Sequence, residues 1–90
     1  VNDSLRLLPW TTPDGKPCYL SADGPRSRLS RLADDIEEAQ LASGRQVLAG
    51  CKGVLGDAKA GDRAVRFALV RAVESLEDVL RVAVSRGGPR

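Results

Sequence analysis

Two apolar rhythms divide the chain. Near the start, Leu5 and Leu7 alternate with Arg6, and Cys18, Tyr19 and Leu20 close the same segment. Between them lies Pro13-Asp14-Gly15, in which proline presets φ, aspartate bonds its own backbone and glycine supplies a positive φ. Residues 5–21 are therefore predicted to form a β-hairpin or extended arm. Pro9 and Pro17 cannot donate to a ladder, so its strands are short and edge-like. Beyond Ser27 the apolar positions return every three or four residues, the spacing of a helix face. Leu29, Leu32, Ile36, Ala39, Ser43, Val47, Cys51 and Val54 make the stripe of a first helix, predicted over 27–55, with Leu41, Leu48 and Leu55 widening one flank. Val65, Leu69, Ala72, Leu76, Val79 and Ala83 make that of a second, predicted over 62–86.

Punctuation supports these limits. Asp23-Gly24-Pro25 breaks any continuation of the arm, and Ser27 or Ser30 is available to cap the first helix. Asp34, Asp35, Glu37 and Glu38 load its first half with negative charge, which suits a helix N-terminus and reads as a solvated face. Gly50, Gly53 and Gly56 loosen its last turns. Gly56 to Gly61 is a tight connection in which Asp57 or Asp62 can cap the second helix, and 87–90 is a frayed tail.

Two helices joined by so short a turn pack antiparallel. With the turn near Lys59, facing residues have numbers that sum to roughly 118, from 3.6-residue periodicity. Leu48 is then expected opposite Leu69 or Val70, Leu41 near Leu76, and Ile36 near Leu80 or Ala83. The acidic start of the first helix comes beside Arg81 and Arg86. The fold expected for this single domain, 1–90, is mainly α: an antiparallel two-helix hairpin carrying an N-terminal β-hairpin or arm. Its second helix is apolar around more than half its circumference, so two hairpins are expected to pair as a four-helix homodimer.

Composition narrows the chemistry. The 90 residues carry 14 basic and 12 acidic groups, net charge +2, too balanced for an electrostatic nucleic-acid binder. No apolar run approaches a membrane span. There is no histidine, and the two cysteines lie 33 positions apart, so neither a zinc set nor a disulfide framework is visible. Cys51 belongs to the core stripe. The chain is read as non-enzymatic, with no catalytic residue, no metal and no cofactor. Gly50 to Gly61 is glycine-rich but lacks the Gly-Lys-Ser/Thr ending of a phosphate-binding loop.

Two candidate interaction groups remain. Arg45, Lys52, Lys59, Arg63 and Arg66 gather toward the turn between the helices. Trp10 and Tyr19 sit in the arm, as a lid over the helices if buried or as interface anchors if exposed. The lid is the reading adopted, because Leu5, Leu7 and Leu20 also need cover.

"LPWTTPDGKPCYLSADG", "RLADDIEEAQL" and "DVLRVAVSRG" together resemble a group of small actinobacterial proteins. These share an L-P-W…P-[DE]-G-K-P-C-[YF]-L-S opening and an A-L-R-V-A-x-S-R-G ending, and the resemblance runs over about residues 7 to 87. It implies an accessory place in gene regulation and carries no activity, cofactor or functional residue. Arg outnumbers Lys by 11 to 3, in keeping with a GC-rich bacterial genome. Val1 is then a trimmed start or a GUG codon, and the thiols are reduced in a cytoplasm. The function expected is an interaction module that binds a second copy of itself and a further protein. The alternatives are a nucleic-acid accessory factor using the basic turn end, and a small-molecule sensor binding between arm and helices.

Overall fold

The computed structural model describes residues 5–21 and 28–87. In chain order its elements are strands β1 (Leu5–Thr11) and β2 (Pro17–Ser21) and helices α1 (Arg28–Leu55) and α2 (Asp62–Ser85). The chain is mainly helical, with an antiparallel two-stranded arm. Among the described residues α1 ends at Leu55, where the sequence places its end, and α2 runs over Asp62–Ser85 against the expected 62–86. Ser27 and residues 88–90, assigned as a cap and a frayed tail, lie outside the described residues.

The arm turns where proline, aspartate and glycine predict it. Gly15 takes φ +86°, a conformation open to glycine and strained for other residues. Its N–H donates to Thr12 O at 2.9 Å, and Thr12 N–H donates to Lys16 O at 2.9 Å. The Thr12 hydroxyl donates to Asp14 Oδ1 and accepts from the Lys16 amide. Leu5, Arg6 and Leu7 pair with Ser21, Leu20 and Tyr19, but the next pair is Thr11 with Pro17. Two extra residues therefore bulge from β1 around Pro9, which has no N–H to give the ladder. The irregularity breaks the strict alternation of a strand, so consecutive Leu8 and Pro9 are both buried.

The helices are antiparallel, as three contacts show. The Cys51 thiol reaches Ala68 O at 3.4 Å, Gly44 faces Ser75 and Val79, and Glu37 meets Arg86. The paired numbers sum to 119 at the turn end and 123 at the open end, close to the expected 118.

The inward stripe of α1 differs from the expected one. Ser30, Ala33 and Glu37 are buried, Gln40, Gly44, Val47, Cys51 and Val54 are half-buried, and Leu29, Leu32 and Ala39 are exposed. On α2, Ala68, Ala72, Ser75, Val79 and Val82 turn inward, while Val65, Leu69 and Leu76 of the expected stripe are exposed. The reason is steric: small residues let two helix backbones approach, whereas rows of leucine hold them apart. At Gly44 a Cβ would lie 3.3 Å from both Ser75 Oγ and Val79 Cγ2. Leu41, Leu48 and Leu76 accordingly line a groove beside the helix contact rather than filling it.

Two smaller expectations also change. Neither Asp57 nor Asp62 caps α2. Gly61 holds the cap position with no side-chain bond, while Asp57 Oδ1 accepts from the Lys59 amide at 2.9 Å. Ser30 lies inside α1, not at its cap.

The glycines of α1 give a prediction. Gly50 and Gly53 have open space where a Cβ would go, so Gly50→Ala and Gly53→Ala should each stabilise the chain by about 0.5–1 kcal/mol through helix propensity. Gly44→Val should destabilise it by about 2 kcal/mol, because the added atoms overpack the helix contact. Urea unfolding of the three variants checks the ranking; a stabilising Gly44→Val would refute the close approach.

Candidate interaction surface

At the open end of the helices, β1 packs on both α1 and α2. Among the described residues only Leu8 (5% exposed), Pro9, Ala33 and Val82 are buried there among apolar groups. Charge completes the joint. Arg6 Nη1 donates to Ser30 O at 3.0 Å and to Ser30 Oγ at 2.9 Å, and Nη2 donates to Asp34 Oδ1 at 2.7 Å. The same Nη2 lies 3.4 Å from Glu37 Oε2. From α2, Arg86 Nε donates to Glu37 Oε1 at 3.3 Å and Nη2 donates to Glu38 Oε2 at 3.2 Å. The bond to Glu38, followed by those with Glu37, raises the Arg86 pKa further above the ordinary guanidinium value. Gln40 Nε2 donates to Pro9 O at 3.0 Å.

Glu37 is 1% exposed, which overturns its assignment to a solvated acidic face. A carboxylate is tolerated there because two guanidiniums flank it, one from the arm and one from α2. The local pattern conceals this. The available signal was the run Ser30-Ala33-Glu37-Gln40-Gly44, small and polar residues at helical spacing. Arg81, expected beside the acidic start of α1, instead pairs with Asp78 at 3.3 Å.

Along the helices Leu48, Leu55, Val65, Leu69, Leu76 and Leu80 are exposed, and Leu41 is half-buried. Leu41, Leu48 and Leu55 follow one another by sevens on α1; Val65, Leu69, Leu76 and Leu80 make a row on α2. Leu41, Leu48 and Leu76 line a groove of about 380 Å³ toward the middle, and Leu55, Val65 and Leu69 line one of about 460 Å³ toward the turn. Leu69 is 62% exposed and Leu76 58%. On the opposite face, Gln46, Val47, Gly50, Phe67 and Arg71 line a smaller groove of about 310 Å³.

The sequence candidates separate in space. Trp10 is half-buried and Tyr19 is 57% exposed, so the lid over the helices is Leu8 and Pro9 more than either ring. Arg45, Lys52, Lys59, Arg63 and Arg66 are all exposed. Among the described residues none of the five is in an ion pair. Arg45 and Lys52 share the outer flank of α1 beside Leu41 and Leu48, whereas Arg63 and Arg66 begin α2. Cys18 and Cys51 are both free thiols. Among the described residues no group of three or more Cys, Asp or Glu is placed to hold a metal ion, and no helix is long and apolar enough to cross a membrane.

No protein-family model, curated protein or solved structure matches the chain.

Proposed function

We propose that this chain is a non-enzymatic protein-interaction module that works as a homodimer, two helical hairpins meeting through their apolar rows as a four-helix bundle. The observation that carries the reading is the outward row of Leu41, Leu48 and Leu55 beside that of Val65, Leu69, Leu76 and Leu80. A contiguous apolar face of this length on a small protein marks an interface.

A second copy is the natural occupant because a hairpin with one bare face supplies the same bare face to its double, and two-fold pairing hides both. Tyr19, 57% exposed in the arm, is available to a further protein. The resemblance to small actinobacterial proteins supports an accessory place in gene regulation.

Sedimentation equilibrium across a wide concentration range tests the dimer. The expected species has twice the 9.6 kDa chain mass. A single species at 9.6 kDa throughout would sink the proposal.

A further inference from the structure

We infer that the two copies stack with their turns at opposite ends, an alignment that rests on the dimer proposed above. The argument comes from how charge is distributed along the hairpin. Residues 44–71, the half nearer the turn, carry six cations (Arg45, Lys52, Lys59, Arg63, Arg66 and Arg71) against Asp57 and Asp62. The open half, residues 28–43 and 72–87, carries four cations and seven acids. Arg6 of the arm sits on this acidic end and adds one positive charge. One molecule therefore has a turn end of +4 and an open end of −2 among its described residues.

Stacking two such hairpins with turns together crowds both +4 ends, within a Debye length of about 8–10 Å at moderate salt. Stacking them with turns apart lays each basic half on an acidic one. Charge complementarity of this kind contributes less to affinity than to alignment, because like charges brought together oppose the wrong arrangement.

The apolar rows accept the same alignment. A two-fold axis passing near Gly44 and Leu76 places Leu41 of one copy over Leu48 of the other, and Leu69 over Leu80, by residue count along antiparallel helices. Lys52 then falls beside Glu38 of the second copy. The turns-together arrangement offers no such exchange, since Lys52 arrives near Arg66.

A spin label at the turn distinguishes the two. Ala58 is exposed there and uncharged, so Ala58→Cys in a Cys18→Ser, Cys51→Ala background adds a site without altering the charge pattern. Pulsed electron–electron resonance on the dimer should read about 40 Å between labels, from 1.5 Å of rise per helical residue on either side of the axis. The molecule's long dimension of 53 Å accommodates that separation. A distance under about 20 Å, the turns-together value on the same helix geometry, overturns the alignment and leaves the dimer standing. A labelled chain that sediments only as monomer, when the unmodified chain does so too, overturns both.

The unmodified chain supplies a second readout should the background not fold. Raising NaCl from low to molar concentration should increase the dimer Kd by about fivefold, as the complementary charges are screened. A Kd that is unchanged or falls with salt contradicts the alignment.

Discussion

Arg6→Ala is expected to lower the unfolding free energy by about 3 kcal/mol, the lower end of the range for breaking a buried ion pair. Arg6 joins the arm to Ser30, Asp34 and Glu37 together. Its loss leaves Glu37 Oε2 buried with no cation beside it, and that oxygen already lacks a hydrogen bond. The effect stays at the low end because Arg86 continues to neutralise Oε1. Arg6→Lys should fall in between, since an ammonium keeps the charge but cannot span the same partners as a planar fork. Asp34→Asn, at an exposed partner of the same arginine, should cost less than about 1 kcal/mol. Urea unfolding at one fixed protein concentration compares the three, because the proposed dimerisation would make stability concentration-dependent. Equal losses for Arg6→Ala and Asp34→Asn would show that Glu37 is not what the arginine serves.

Leu76→Asp should produce a folded monomer. Leu76 is more than half exposed in the single hairpin, so a polar group there leaves the helix contact of Ala72, Ser75 and Val79 intact. In the proposed dimer the same side chain would lie close to the two-fold axis, where a carboxylate would be desolvated. A central interface residue is worth about 2 kcal/mol, and the two-fold counts it twice, so Kd should rise about a thousandfold. Gln46→Asp, on the opposite face, should leave Kd unchanged. Sedimentation equilibrium reads the association, and circular dichroism checks that helix content is retained. Dimers of undiminished affinity in Leu76→Asp would place the interface elsewhere.

Element limits were legible because local chemistry sets them. Gly15 supplies the positive φ of the arm turn, Pro9 and Pro17 shorten the strands, and the glycines from Gly56 to Gly61 separate two runs of helical periodicity. None of this requires a partner distant in sequence. The inward faces were less legible for the opposite reason. Hydrophobic periodicity ranks residues by apolarity, and on that scale Leu29, Leu32, Leu69 and Leu76 outrank Ala33, Gly44, Ala68 and Ser75. The fold selects the second set, because contact between helix backbones is decided by size.

The sequence by itself determined two helices, an arm, their order and their antiparallel return. It also determined that apolar surface would exceed what one hairpin hides. Only the tertiary structure decided which side chains that surface comprises. It also decided that a glutamate from the acidic run, Glu37, is buried between Arg6 and Arg86. Those arginines lie 31 residues before Glu37 and 49 after it. A carboxylate's environment depends on the charges that folding brings beside it, and no local spacing encodes a partner so far along the chain.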